Sequence, residues 1–416
     1  MRLRVKDFTT KVGSGVTPRG GAETYLEQGI PLFRSQNVYD NGFLMDDIAY
    51  ISEEVDESMS GTRVKPGDVL LNITGASIGR CFYTSDSFER GNVNQHVCII
   101  RPKRNITSPS FLHYCIISNE GQEQINLSQT GANREGLSVE DIKGFSFDIP
   151  SLSAQQKMVD YLDEKTSAID TRVELLEKKK DAYARLKKAM INRAVTRGLD
   201  ENVKLKDSGV EWIGMIPEHW EVKRIKEIGK LKLGKMLDEK PKCGYQLKPY
   251  LKSKNIGWLE LKLDEVEDMY FSDDEMKVLR LFKGDLVLSE GGEVGKTSYW
   301  NDELDECYIQ NSVQKLTIDN NNFSRYYLYL SYLMGQMGYY KSIVNLVSIM
   351  HLTHEKLRQV AVVRPPLSEQ MTIATYLDEK CTKIDAAITN IDKQTDALKR
   401  LKRSLINEVI TGQRAV

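Results

Sequence analysis

The chain has 416 residues, 40% hydrophobic and 28% charged, with 58 basic against 59 acidic side chains and a formal net charge of −1. That length exceeds one ordinary core and predicts two or three domains. The charge balance excludes a uniformly basic binder but leaves room for a local basic face. No apolar run approaches the ~20 residues of a membrane span, and the start "MRLRVKDF" lacks a signal peptide's apolar core. The six cysteines (Cys81, Cys98, Cys115, Cys243, Cys307, Cys381) show no C-x-x-C spacing, so a zinc ribbon is not expected and reduced thiols in the cytoplasm are.

In chain order, "GDVLLNI" (67–73) reads as a short buried strand ending in a Gly-rich turn, and "NQHVCIIRP" (94–102) as a further strand. A helical pattern follows over 109–126, then the strand "GFSFDIP" (144–150). From Pro150 the pattern becomes one long helix: Leu162, Thr166, Ile169, Val173, Leu176 and Tyr183 form a narrow apolar seam with charged flanks. Ser153 is the expected N-cap and Gly198 the expected exit. After a linker over 199–216, the series recurs: strands "GDLVLSE" (284–290) and "QNSVQKLTI" (310–318), a helical pattern over 323–341, and the strand "QVAVVRP" (359–365). A second long helix follows Pro365-Pro366, with its seam at Leu377, Cys381, Ile384, Ile388, Ile391 and Leu398, cap Ser368 and exit Gly412.

The recurrence is a duplication. "YLDEK" stands at 161–165 and again at 376–380, an offset of 215 that holds without a gap over 150–196 and 365–411. Upstream, "PLFRSQNV" (31–38) matches "PYLKSKNI" (249–256), and "NQHV" (94–97) matches "QNSV" (310–313). The expected boundaries are variable domain 1–149, long helix 150–198, second variable domain 199–364 and second long helix 365–416. The fold class is α/β (α+β), with two strand-rich domains and two long helices paired with each other. The plainer alternative is two independent amphipathic helices, each packed on its own domain.

Catalytic patterns are missing. "GGEVGKTS" (291–298) lacks the glycine that a phosphate loop needs five residues before its Gly-Lys, since Glu290 stands there. It reads as a surface turn. His351 and His354 lack a third ligand. "NITG" (72–75) lacks the paired prolines of the amino-methyltransferase motif, and no nucleophile elbow is visible.

The duplicated Pro-Leu/Ser-entry with its glutamine, "YLDEK…ID" and "LIN…T", together with "DSGVEWIGMIPEHWEVKRI" (207–225), resembles the specificity subunits of type I restriction–modification systems. The resemblance covers nearly the whole chain. It implies that each variable domain reads one half of a split DNA target, that the helices form an antiparallel coiled coil with a pseudo-twofold, and that two methyltransferase subunits dock on it. S-adenosylmethionine, ATP and magnesium are then expected on partner subunits, including any restriction subunit, and no chemistry on this chain. A rigid rod would turn helix length into half-site spacing. One departure stands out: the first half starts at "RVKDF" without its own "GVEWIG…HW", so its edge is either built differently or completed by the C-terminus. The alternatives are a coiled-coil scaffold with two protein-binding domains, or a self-contained methyltransferase or nuclease.

Base readout needs Arg or Lys for guanine and Asn or Gln for adenine. The expected readers lie in matching polar loops: Arg34, Ser35, Gln36 and Asn37 against Lys252, Ser253, Lys254 and Asn255, and Arg80 against Lys296. Asn133 and Arg134 in "QTGANREG" (129–136) face Ser348 and His351, and Lys11, Arg19, Lys235 and Lys240 are further loop candidates. "YLDEK" is expected to open each long helix, its acids favoured by the helix dipole.

Overall fold

A computed structural model describes residues 1–129, 136–344 and 352–416. The chain divides into two compact units, Met1–Glu177 with Asp392–Val416, and Lys178–Ile391.

In the first unit an antiparallel sheet runs in the order Thr9–Ser14, Val97–Pro102, Val69–Asn72, Cys81–Tyr83. Its central strands are apolar through residues 97–100 and 69–71 because both faces are covered. Cys98, Ile100, Val69 and Leu71 enter the main core, whereas Val97, Ile99 and Leu70 enter a second cluster with Phe33 and Val38. A smaller sheet adds Ala49–Ile51, Ile30–Phe33, Gly91–Val93 and Arg63–Val64. Helix α1 (Pro109–Ile117) starts with proline and is capped by Ser108 Oγ, which accepts from Phe111 N at 3.1 Å.

The second unit repeats the plan: Gly229–Leu233, Val313–Ile318, Leu286–Ser289 and Thr297–Tyr299 form the antiparallel sheet. Leu286, Leu288 and Leu316 face one core, and Val287 and Val313 the other. The "GD" pairs explain their own repetition. Gly67 (φ 79°) and Gly284 (φ 99°) take the left-handed region that only glycine enters cheaply. Asp68 Oδ2 then accepts from Lys65 N at 2.7 Å, and Asp285 Oδ2 from Phe282 N at 2.9 Å, so each aspartate closes the turn into its strand.

The long helices are α2 (Leu152–Arg197, following α1) and α4 (Leu367–Ile410), with α3 (Ser324–Gln336) between them in sequence. They pair within each unit. In the first, Val159 and Leu162 share a core with Leu405, Ile406, Val409 and Ile410; in the second, Ile191, Ala194 and Val195 share one with Ile373, Ala374 and Leu377. The direction is antiparallel: Asp170 meets Lys402 at 2.6 Å, while Glu177, a later residue of α2, meets the earlier Lys399 at 3.7 Å. In the second unit Lys187 meets Asp385 at 2.7 Å. Asp385 and Lys402 lie 215 residues after Asp170 and Lys187, so each copy's aspartate meets the other copy's lysine.

Three local expectations are corrected. Ser153 and Ser368 are not caps, because each helix begins one residue before them; Ser151 Oγ accepts from Ala154 N at 3.4 Å, and Pro366 O from Glu369 N and Gln370 N at 3.0 Å each. The stretch 199–216 is not simply a linker, since Leu205–Asp207 pairs with Met215–Pro217 in a hairpin. "YLDEK" does not open its helix: Tyr161 and Tyr376 lie nine residues beyond the helix starts, where the dipole no longer favours acids.

The kept segments instead fasten each helix to its domain. The Gln155 amide is fully buried; its Oε1 accepts from Ser108 N at 2.9 Å, and its Nε2 donates to Ile106 O at 2.8 Å and Pro150 O at 2.9 Å. Gln370 repeats this with Phe323 N at 2.8 Å, Pro365 O at 2.8 Å and Asn322 Oδ1 at 3.1 Å. Asp163 accepts from the Tyr114 hydroxyl of α1 at 2.6 Å, and Asp378 from the Tyr329 hydroxyl of α3 at 2.7 Å.

The first unit's edge strand, Arg2–Arg4 on Ser146–Asp148, matches Glu221–Arg224 on Ala361–Arg364. Leu405, Ile406, Val409 and Ile410 join the first core as Ile191, Ala194 and Val195 join the second, where Ile213, Ile216 and Trp220 of the lead are added. The "HW" lead has a local task. Trp220 Nε1 donates to Glu369 Oε2 at 2.9 Å, and His219 Nε2 lies 2.7 Å from Glu369 Oε1. The first copy has Ala154 where Glu369 stands, and no "HW".

Candidate nucleic-acid interface

Each unit carries a platform made of two turns. In the first unit Ser35–Asn37 is a single 3₁₀ turn after the strand Ile30–Phe33. Asn37 is fully buried and spends its amide on the backbone, accepting from Arg34 N at 3.1 Å and donating to Leu44 O at 3.0 Å and Asp47 O at 3.1 Å. Asn255 does the same in the second unit, with Lys252 N at 3.0 Å, Lys262 O at 2.9 Å and Glu265 O at 3.2 Å. Expected as base readers, both asparagines instead shape the loop that presents their neighbours, because a buried amide must find partners.

The second turn is Gly-rich. Asn72 N donates to Arg80 O at 2.9 Å and Gly79 N to Asn72 O at 3.0 Å; Ser289 N donates to Lys296 O at 2.8 Å and Gly295 N to Ser289 O at 2.9 Å. Thus "GGEVGKTS" is a strand-to-strand turn, as its failed phosphate-loop spacing implies. The two turns touch. Asn72 Nδ2 donates to Ser35 O at 2.7 Å, and the Arg80 guanidinium lies 5.0 Å from the Tyr39 ring centroid. In the second unit Trp258 Nε1 donates to Glu293 Oε1 at 3.1 Å, and Glu293 pairs with Lys296 at 2.6 Å.

The platform therefore brings together Arg34, Ser35, Gln36 and Arg80 in one unit, and Lys252, Ser253, Lys254 and Lys296 in the other. Other candidates fall elsewhere. Lys11 sits in the strand Thr9–Ser14, not in a loop, with Nζ on Gly61 O, and burial lowers its pKa. Lys235 is enclosed: its ammonium donates to Tyr270 O at 2.8 Å, pairs with Glu275 at 2.8 Å and lies 5.1 Å from the Tyr245 ring centroid. Arg19 and Lys240 are exposed. Asn133, Arg134, Ser348 and His351 lie outside the described residues, although the flanks are placed: Leu137 N donates to Ile73 O at 2.9 Å, and Leu352 N to Glu290 O at 3.0 Å, both beside the Gly-rich turns.

Sequence reasoning missed two groups here. Gln95 and His96 form a polar turn against the first platform, with Thr74 Oγ1 2.6 Å from His96 Nδ1. The "NQHV" and "QNSV" pairing marked that turn, but its side chains were not weighed. The acids Asp47, Glu265 and Glu267 were also missed; nothing in their spacing shows that they return to the reading loop.

A separate cleft of about 660 Å³ in the first unit is lined by Tyr83, Tyr114, Asp163, Asp170, Glu174 and Lys402, among others. Its carboxylates repel phosphate. Among the described residues, no group of three or more His, Cys, Asp or Glu side chains is placed to hold a metal, and no helix is long and apolar enough to cross a membrane. The described cysteines are free thiols, and of these only Cys243 is exposed.

The model of the type I restriction modification DNA specificity domain matches this chain twice, over residues 3–181 and 217–399. The type I restriction enzyme MjaVIII specificity subunit of Methanocaldococcus jannaschii is 23% identical across 99% of this chain and 92% of its own length. Among solved structures, one described under complex assembly and conformational transition of the type I R-M system superposes with a TM-score of 0.75 at 16% identity, covering 100% of this chain and 98% of that one. The HsdS subunit from Thermoanaerobacter tengcongensis superposes with a TM-score of 0.56 at 17% identity, covering 100% and 97%. The chain belongs to the type I restriction–modification DNA specificity family. It is a specificity subunit, a component that selects the DNA target and leaves the chemistry to other subunits.

Proposed function

We propose that each unit reads one half of a bipartite DNA target with its two-turn platform, and that the paired helices set the half-site separation. The carrying observation is that one buried-asparagine turn and one Gly-rich turn are built twice, with different side chains on top. Arg34, Gln36 and Arg80 stand in one unit, and Lys252, Lys254 and Lys296 in the other. Same scaffold with changed polar ends suits two half-sites of different sequence. Asn133, Arg134 and His351, from the segments beside the Gly-rich turns, complete the reading set in this proposal. Lys11, Arg19, Lys235 and Lys240 are assigned to phosphates or to loop structure. Two methyltransferase subunits and, where present, restriction subunits are the partners, holding S-adenosylmethionine, ATP and magnesium in the cytoplasm.

The test is a binding assay on the methyltransferase complex. Arg34→Ala with Arg80→Ala is expected to weaken recognition of one half-site by tenfold or more, with assembly unchanged, since a good base contact carries ~1–3 kcal/mol. Unchanged sequence-specific binding would reject the platform.

A further inference from the structure

The basic readers Arg34, Lys252, Lys254 and Lys296 of the platform each face a carboxylate. Lys254 pairs with Glu265 at 2.7 Å and lies 3.5 Å from Glu267, which also pairs with Lys252 and accepts from the Tyr250 hydroxyl at 3.0 Å. Lys296 is held by Glu293 at 2.6 Å. In the first unit Gln36 Nε2 donates to Asp47 Oδ2, and the Arg34 guanidinium lies 3.7 Å from the same carboxylate.

The arrangement recurs with the same spacing. Gln36 reaches Asp47 and Lys254 reaches Glu265, each eleven residues on. Both acids also lend their backbone carbonyl to the buried asparagine of their turn. One loop therefore fixes the turn and carries a carboxylate against the side chain the turn presents. Stability does not account for this, because Glu265, Glu267 and Asp47 are exposed and such pairs contribute ~0–1 kcal/mol. The hydrogen bond from Lys254 holds the Glu265 carboxyl below its usual range, and that from Lys252 does so for Glu267, so both remain charged at neutral pH.

From this we infer that Asp47, Glu265 and Glu267 are specificity-determining residues: they occupy the DNA-reading side chains and suppress binding to duplexes of the wrong sequence. The inference rests on the DNA-reading function proposed above. A phosphate offered to a paired lysine replaces one anion by another, so little is gained from backbone contact alone. Fewer counterions leave the DNA, and the salt-dependent, sequence-blind part of the affinity shrinks. At a matching site the base-edge acceptors add to the phosphate contacts, and there the combined bonds outweigh the lost carboxylate pairing. The near-neutral chain is consistent with a binder that limits its sequence-blind affinity.

The test measures binding of the full-length chain to a labelled random-sequence duplex across ~50–200 mM NaCl, by fluorescence anisotropy. The variants are Glu265→Gln with Glu267→Gln in the second unit, Asp47→Asn in the first, and Asp274→Asn as a control at an exposed acid of the second unit paired with Lys277. Each freed cation is expected to steepen the slope of log K against log salt by about 0.9 and to tighten binding several-fold near ~0.1 M. The control is expected to match the parent. The clamp is overturned if the parent binds and the variants keep its affinity and slope, if they bind more weakly, or if the control gains as much. A parent that binds no duplex at the lowest salt overturns the DNA-reading function, and the clamp with it. The two loop variants lie in different units, so misfolding of one leaves the other to decide.

Discussion

The guanidinium of Arg325 grips the carboxylate of Asp378 through two bonds, Nε to Oδ2 at 2.6 Å and Nη2 to Oδ1 at 2.7 Å. With the Tyr329 hydroxyl on the same oxygen, α3 is fixed about three turns into α4. At the equivalent place in the first unit, Asp163 holds only the Tyr114 hydroxyl and Thr166 stands beside it. The two junctions should therefore differ in strength. Asp378→Asn is expected to cost about 1–3 kcal/mol, because charge-assisted bidentate bonds exceed neutral ones. Asp163→Asn should cost less. Urea unfolding of both variants checks the order, and a larger loss at Asp163 would contradict it. Neither change touches the platform, so the choice of DNA sequence should stay as in the parent.

The buried glutamines allow a sharper prediction. Gln155→Ala removes the side-chain partner of Ser108 N and of the Ile106 and Pro150 carbonyls, and Gln370→Ala does the same to Phe323 N and Pro365 O. Each unpaired buried group costs ~1–3 kcal/mol, so each variant should lose at least about 2 kcal/mol. Replacement by Glu is expected to be worse than Ala in the first unit, since a carboxylate would face two carbonyl oxygens. Denaturant midpoints decide this, and midpoints within error of the parent would sink it.

His113 sets a pH dependence. It is buried in α1 with Nδ1 3.5 Å from Cys81 Sγ, and burial holds its imidazole far below the ordinary value, at about 3. An unfolded chain protonates histidine near ~6.5. Between those values the unfolded state takes up a proton that the folded state refuses, so this contribution lowers stability as pH falls, by up to ~1.4 kcal/mol per pH unit. Above ~6.5 it vanishes. His113→Asn is expected to flatten the fall in urea midpoint between pH 6.5 and 4.5, a range set by those two values. Curves that run parallel to the parent's would exclude His113 as the source.

The repeat made the architecture legible before any coordinates. An offset of 215 residues carried the helix seams into place, and nearby offsets carried the strand pairs and the glycine exits, because apolar period and turn chemistry are local signals. The acids of "YLDEK" were visible but misread. Their partners, Tyr114, Tyr329 and Arg325, come from helices about fifty residues away in sequence, and no local pattern encodes that meeting. Asn37 shows the same limit at the interface: an amide in a polar loop reads as a base contact until burial shows that the loop consumes it. Arg34, Gln36, Lys252 and Lys254 were singled out because the loop recurs; the carboxylates that hold them come from a later return of the chain.

One consequence follows for synthesis on the ribosome. The second unit is a continuous segment, Lys178–Ile391, whereas the first needs Asp392–Val416 to supply Leu405, Ile406, Val409 and Ile410 to its core. The part translated first is thus the part finished last. Until Leu405 to Ile410 are made, Val159 and Leu162 lack that apolar cover, and the nascent chain must carry an open hydrophobic strip while the later-made unit closes. A stop codon at Leu405, with all of the second unit intact, would leave the first unit's core permanently uncapped.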